Sequence, residues 1–525
     1  MLNNLSNFFS IITGRMIKKV PAKNDLIALG TRDPRYGGGY KPTGITVEDF
    51  MNSIPIPTSG VQSVTGLNTN NIDPLNPEVK IAVDGVTVTG LGTPASPLAS
   101  VGGASTVNYS NVIFVDPIYG NDTTGIAGNF NKPFLTPYAA ALAANAITRT
   151  VTNRVLVWIR KGEYFGGGFN PYTNLDVYCE PGVVFTGSFI LNNNNTGSPT
   201  NFNLYGYAKW VLNQSQYLFV WNYASTVYIQ GDSIVNTGAI GISYNVTSGT
   251  SNVTYDFNSM ESTQTAGTGF AFSWRNNCNA TVNVKNYIKS PHTHHDVRAS
   301  HSGIVNVNCP NNILTATNVY GGSFKQIVYV SSALSTSIIT IKGNLINEGV
   351  SYLGGLESMV LCTSGNPLIT INGNITTPAG IGVSGRSSEI IVVNGNVTAG
   401  IYVANQLTGA GESYFNGGVY QNNTQSPVFL LSASKKLFIR DASIYNGVDV
   451  TSGVDVLSNT SSLYMYNCIS NRLTNSLGYL VYGGVAGVIV QLHNVRSGGG
   501  LHPNVTDQLS PTGLIVDPLL IVPKY

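Results

Sequence analysis

Four of the six histidines fall within ten residues, at His292, His294, His295 and His301. His292 and His294 stand two apart. On an extended strand they share a face and could hold one metal ion together. Three copies of the pair around a three-fold axis would supply six nitrogens, a set suited to a transition metal in octahedral geometry. The competing reading is a solvated loop, with glycan contact as a third. Asp296 beside the cluster would allow a proton relay, but the sequence places no nucleophile next to it. Cleavage of a glycosidic bond asks for two carboxylates roughly 5–9.5 Å apart. Lyase chemistry asks for a base beside a cation or metal. Between residues 190 and 435 the acids are Asp232, Asp256, Glu261, Asp296, Glu348, Glu357, Glu389 and Glu412, thinly spread. Gly166-Gly-Gly168 and Gly498-Gly-Gly500 do not link a strand to a helix as a phosphate loop does. No residue is assigned a catalytic role.

The elements that must position these groups follow from composition. Of 525 residues only 10% are charged, against roughly 25% in an average domain, while Gly numbers 58 and Tyr 28. Such a chain is polar without being charged, unlike disordered segments, coiled coils or helix bundles. A net charge of +2 gives no electrostatic footprint for nucleic acid, and no apolar run approaches a membrane span of roughly 20 residues. Cys179, Cys278, Cys309, Cys362 and Cys468 are odd in number, widely spaced and without a CxxC. They read as buried reduced thiols, not a disulfide framework. No export signal or anchor is read at the N-terminus, where basic residues follow the apolar stretch.

Four zones are expected. Residues 1–55 are mixed, with Leu2, Leu5, Phe8, Phe9 and Ile12 at helical spacing. Residues 56–105 form a short β-rich connector, in which Val83-Asp-Gly-Val86 predicts a hairpin. Residues 106–500 repeat one pattern: two apolar residues at alternate positions, a polar residue, then Gly or Asn. It recurs as Ile339-Thr-Ile-Lys-Gly343-Asn344, Ile369-Thr-Ile-Asn-Gly373-Asn374 and Ile391-Val-Val-Asn-Gly395-Asn396. Looser copies end at Asn286, Cys309, Asp441, Asn467 and Asn494. Successive copies stand roughly 22–34 residues apart, a solenoid period with no helical signature. The fold class is therefore all-β, a parallel β-helix whose inward Ile and Val stack coil upon coil. Asn344, Asn374 and Asn396 share one slot and are expected to hydrogen-bond from coil to coil. Counted from each coil's marker, the acids fall at differing offsets, so no stacked carboxylate pair is expected. Tyr205, Tyr207, Trp210, Tyr217, Trp221 and Tyr223 cluster, and the core is expected to claim at least half of them. Which aromatics meet a glycan is not assigned. Residues 501–525 are an apolar tail.

The start of the repeat zone reads Val115-Asp-Pro-Ile-Tyr-Gly-Asn-Asp122, then Asn131-Lys-Pro-Phe134-Leu-Thr136-Pro137 and six alanines by 146, then a strand ending Lys161-Gly162-Glu163-Tyr164. Thr136 is a good N-cap and Pro137 a good first helical residue. This order resembles the opening of pectate-lyase-like right-handed parallel β-helices, a family that includes polysaccharide lyases and many bacteriophage tailspikes. Lys161 stands where that pattern has Pro. The resemblance implies a right-handed solenoid whose N-terminal end is closed by the Ala-rich helix. Upstream, Gly60 to Asn68 and Ile81 to Leu98 resemble connector segments of bacteriophage virion and tail proteins, and Lys18 to Ile27 is similar to such proteins too. Together these imply a tail fibre or tailspike-like virion subunit, assembled in the host cytoplasm. It would attach to other virion proteins through residues 1–55, be a homotrimer, and adhere to a bacterial surface glycan. A non-catalytic adhesin is favoured over a depolymerase tailspike. No cofactor is expected beyond a transition metal at His292 and His294.

Overall fold

A computed structural model describes residues 111–516 apart from several short stretches, the longest being 316–325 and 348–357. Upstream it describes the strands Leu26–Arg32, Tyr40–Thr46, Ile81–Val83, Val86–Thr89 and Ala99–Val101. The expected helix over Leu2 to Ile12 lies outside the described residues. The chain divides into two compact units at Val107/Asn108. In the first, Leu26–Arg32 pairs antiparallel with Tyr40–Thr46. Ile81–Val83 pairs with Val86–Thr89 with Val83 opposite Val86, the register expected of a two-residue Asp84-Gly85 turn.

The second unit is an all-β parallel solenoid of about 11 turns. Its strands form a sheet of 24 and a sheet of 13. One inward column shows why the repeat works. Val305, Ile339, Ile369, Ile391, Ser413, Leu437, Leu463 and Val490 are successive register partners, and all are buried. The three clearest sequence repeats thus occupy consecutive rungs. Each rung lies about 4.8 Å from the next, so these side chains touch and fill a core running the length of the unit.

The corner slot is solved in two ways. Gly343, Gly373 and Gly395 leave room for the neighbouring coil: a Cβ on Gly373 would lie 2.1 Å from the Gly343 carbonyl oxygen, and one on Gly395 2.3 Å from that of Gly373. Further along, Asp441, Asn467 and Asn494 hold the slot in the left-handed region, each at φ 51°. Their side chains bond in series, Asn494 Nδ2 to Asn467 Oδ1 at 3.0 Å and Asn467 Nδ2 to Asp441 Oδ1 at 2.9 Å.

The expected Asn344–Asn374–Asn396 ladder exists with different partners. Asn344 Oδ1 accepts from the backbone N–H of Asn374 (3.0 Å), Asn374 Oδ1 from that of Asn396 (2.9 Å), and Asn396 Oδ1 from that of Val419 (2.7 Å). At the corner these side chains serve as acceptors for backbone N–H groups of the next coil. The amide-to-amide ladder runs two residues earlier, Asn416 to Asn394 (3.0 Å) and Asn394 to Asn372 (2.8 Å).

The capping helix spans Pro137–Asn145, with Thr136 as N-cap accepting from the Ala139 N–H at 3.2 Å. Ala140, Ala141 and Ala144 are buried, and the helix packs on strands Val112–Val115 and Val155–Ile159. The residues that carry the family resemblance are spent on building this cap. Asp116 Oδ1 accepts from the Ile118 and Tyr119 N–H groups, both at 2.9 Å, and Oδ2 pairs with Arg160 at 3.0 Å. Asp122 accepts from the N–H groups of Leu135 and Thr136 and from the Thr136 hydroxyl. A Cβ on Gly120 would strike the Phe134 carbonyl oxygen at 2.2 Å.

This cap is expected to weaken in acid. Burial would raise the Asp116 carboxyl, but the Tyr119 and Ile118 N–H groups and Arg160 outweigh it and hold it below its ordinary 3.8. A depressed folded value contributes stability above 3.8, and that contribution is lost as pH falls through the folded value. Hydrogen exchange of the Ala140 to Asn145 amides is expected to accelerate in that window, and Asp116→Asn to remove most of the pH dependence. An unchanged profile in the variant would assign the effect to other groups.

Candidate functional site

Inward side chains belong to the core, so chemistry toward a partner must come from outward positions or from buried polar groups left over from packing. The histidine cluster divides. His292 lies outside the described residues, and His294 lies on the strand Thr293–Arg298. His295 is buried, its ring stacked on Phe272 (5.0 Å, 9°) and on Trp274 (6.3 Å, 10°), whose Nε1 donates to Nδ1 at 3.2 Å. His301 is buried as well. Its Nε2 lies 2.9 Å from the Cys278 carbonyl oxygen, which can only accept, so Nε2 carries the proton and Nδ1 accepts from the Ser337 hydroxyl at 2.7 Å. Burial lowers its pKa, which agrees with a neutral ring. Among the described residues no group of three or more His, Cys, Asp or Glu is arranged to hold a metal ion.

Glu348 and Glu357 lie outside the described residues. The other six acids between 190 and 435 each meet an amide, a hydroxyl or a cation. Asp232 accepts from Asn258 at 2.7 Å, Asp256 from Tyr228 at 3.4 Å, and Glu261 from Tyr287 at 3.4 Å. Glu412 accepts from Lys436 at 2.9 Å and from the Tyr414 hydroxyl at 2.6 Å. Asp296 is buried, with Oδ2 held by Arg298 Nε and by Ser273 at 3.4 Å. Burial raises its carboxyl, opposed by Arg298, Arg275 and Ser273.

Glu389 and Lys435 are both fully buried and 2.8 Å apart. They sit two coils apart, because Ile390, Glu412 and Lys436 are successive register partners. The residue between them is Gly411, where a Cβ would lie 2.5 Å from the Glu389 carbonyl oxygen and 2.8 Å from Lys435 Nζ. Lys435 therefore reaches past a rung that has no side chain. Lys435 also donates to the Ser387 carbonyl, and Glu389 accepts from the Ser387 N–H at 2.9 Å. Burial raises the glutamate and lowers the lysine, and their mutual attraction opposes both shifts. Nothing in this arrangement faces a substrate. The five cysteines are free and buried. Burial pushes the thiols of Cys309 and Cys468 up to about 11 and those of Cys179, Cys278 and Cys362 further, so none is a ready nucleophile at neutral pH.

Outward columns carry aromatic rings. Trp158, Tyr178 and Tyr205 are register partners on three successive coils. Their rings meet edge-on and tilted, at 5.5 Å with 88° and at 6.2 Å with 45°. Trp158 is 36% exposed and its Nε1 donates to Glu180 at 2.8 Å, while nearby Tyr207 is 60% exposed. A second column, Tyr414, Phe438 and Tyr464, is stacked face to face at 4.6 Å with 5° and 4.5 Å with 7°. There both faces of Phe438 and one face each of Tyr414 and Tyr464 are spent within the stack. The first column keeps ring surface for a partner. Of the six tyrosines and tryptophans between 205 and 223 the core claims two, Trp210 and Trp221, fewer than expected, and the four tyrosines stay partly or fully exposed. The split follows strand alternation, since Tyr205 lies one residue from the buried Leu204 while Trp210 continues an inward column with Phe185 and Ile234.

No protein family, no curated protein and no solved structure matches this chain.

Proposed function

We propose that this chain is a fibre or tailspike-like virion protein of a bacteriophage, joined to other virion proteins through residues 1–55, and that its solenoid adheres to a glycan of the host cell surface. The observation that carries this reading is the column Trp158, Tyr178 and Tyr205, which offers aromatic surface at one outward position on three consecutive coils. Aromatic faces pack on the apolar patches of sugar rings. A stacked solenoid holds such groups at fixed spacing without ordering loops at the moment of binding, which lowers the entropic cost. Assembly as a homotrimer in the host cytoplasm, with the virion as its destination, completes the proposal. Three parallel shafts would multiply weak contacts into avidity. Few charges suit the task, since they limit nonspecific polyelectrolyte binding.

The test is incubation of the full chain with purified host capsule or lipopolysaccharide, followed by sizing of the sugar. Retention of the polysaccharide at its original length is the expected result. Release of short oligosaccharides would replace adhesion with depolymerisation, and absence of binding to any bacterial surface polysaccharide would sink the reading. Imaging of intact particles then decides whether the chain sits on tail or head.

A further inference from the structure

One concavity on the outer surface carries no ionisable group and is built from a repeated tripeptide. Asn374-Ile375-Thr376 and Asn396-Val397-Thr398 lie on successive coils with Ile375 opposite Val397 and Thr376 opposite Thr398. Val419 and Gln421 on the third coil complete the lining. The same hydrogen-bonding groups therefore recur one strand spacing, about 4.8 Å, along the solenoid axis.

The donors are fixed before any ligand arrives. Asn374 Oδ1 and Asn396 Oδ1 each accept a backbone N–H from the next coil, at 2.9 and 2.7 Å. A carbonyl oxygen must face an N–H, so the amide orientation is set by chemistry, and both Nδ2 groups, on exposed residues, point elsewhere as donors. Thr398 Oγ1 accepts from Gln421 Nε2 at 3.0 Å, which leaves its own hydrogen to donate. The next residue in that column after Gln421 is Tyr445, half-buried. The strands beneath are already paired on both sides, so an added peptide strand has no edge to join. With no cation in the lining, an anion or a nucleic acid finds no counter-charge.

We propose that this concavity is a subsite for uncharged sugar residues of a glycan running along the solenoid axis, two adjacent residues meeting the two Asn-x-Thr rungs. It rests on the adhesion reading above and deepens it. Fixed amide and hydroxyl donors match ring and exocyclic oxygens, and a repeating polymer can use a repeated site twice.

The test uses the full chain on an array of bacterial surface polysaccharides, with neutral and acidic glycans both present. The Thr376→Val/Thr398→Val pair removes both hydroxyls at strand positions where valine is well tolerated. Thr376→Trp fills the concavity. The expected result is binding to neutral glycans, weakened about tenfold or more by either variant, while the valine pair stays folded with a somewhat lowered unfolding midpoint from the lost Gln421 contact. Binding retained within about twofold in both variants, or wild-type binding confined to acidic glycans, would overturn the subsite while leaving adhesion standing. Failure of the wild type to bind any glycan would instead remove the adhesion reading itself. If Trp158→Ala abolishes binding while the threonine variants do not, the contact belongs to the aromatic column.

Discussion

Lys435→Met is expected to destabilise the solenoid by about 3–5 kcal/mol, the cost typical of removing one partner from a buried ion pair. Lys435 and Glu389 have no exposed side-chain surface, and they meet across the rung left empty by Gly411. Without the ammonium, the Glu389 carboxyl keeps the Ser387 N–H and its own backbone N–H but no counter-charge, in a site that burial already makes hostile to charge. It would take up a proton at higher pH, or water would enter. Glu389→Gln should be costly as well, because Ser387 donates to Oε2 and Lys435 to Oε1, and an amide sets its own N–H groups against one of these two donors while leaving the buried ammonium without a counter-charge. The double change Glu389→Leu/Lys435→Met should recover much of the loss, since a buried pair exchanged for apolar groups is often neutral. Denaturant unfolding measures all three. A single lysine variant within about 1 kcal/mol of wild type would mean that the pair contributes little and the site tolerates a lone carboxyl. Gly411→Ala should behave like the lysine variant, because its methyl would occupy the lysine's path.

That pair also marks the limit of what the sequence discloses. Local patterns were legible. The alternation in Ile339-Thr-Ile341, Ile369-Thr-Ile371 and Ile391-Val-Val393 declares strands, and the glycine after each declares a corner. All three prove to be consecutive rungs. The cap was legible for the same reason, since Asp116, Asp122, Thr136 and Pro137 act on neighbours close in sequence or in one adjoining strand. Contacts two coils apart were not. Coil lengths vary, so which residue faces Glu389 depends on the summed lengths of the intervening corners, and Lys435 shows no pattern of its own. His295 and His301 were legible only in part. Val297 alternates with His295, which was a sign that His295 points inward, but from sequence the cluster reads as one solvated loop, with a metal at His292 and His294 as the alternative. The amide ladder was placed two residues late because a corner side chain serves the backbone first. The donor-lined concavity had a visible signal, the repeated Asn-x-Thr after Gly373 and Gly395. In an Asn- and Thr-rich chain that pattern gains meaning only once register stacks it.

Trp210→Ala should cost about 3–5 kcal/mol, but locally. The indole is fully buried and meets Phe185 and Phe257, each at 5.4 Å, and Phe219 at 6.4 Å. Gly231 on the next coil makes room for it, since a Cβ there would lie 2.2 Å from the ring. Truncation therefore leaves a cavity bounded by aromatic rings that a glycine cannot fill. In a solenoid each coil rests on its immediate neighbours, so stability is close to a sum of coil and interface contributions. Hydrogen exchange should accelerate in strands Val183–Gly187, Lys209–Leu212, Ser225–Asn236 and Ser251–Ser262, while Leu368–Asn372 and Ile390–Asn394 keep their protection. Uniform loss of protection along the unit would show that it unfolds as one cooperative body instead. The local outcome bears on adhesion. Tyr205 stands on Thr200–Gly206, the strand that precedes Lys209–Leu212, so the variant should loosen one end of the Trp158, Tyr178 and Tyr205 column. It should leave the Asn-x-Thr concavity intact. Glycan binding in this variant would then separate the two surfaces without touching either.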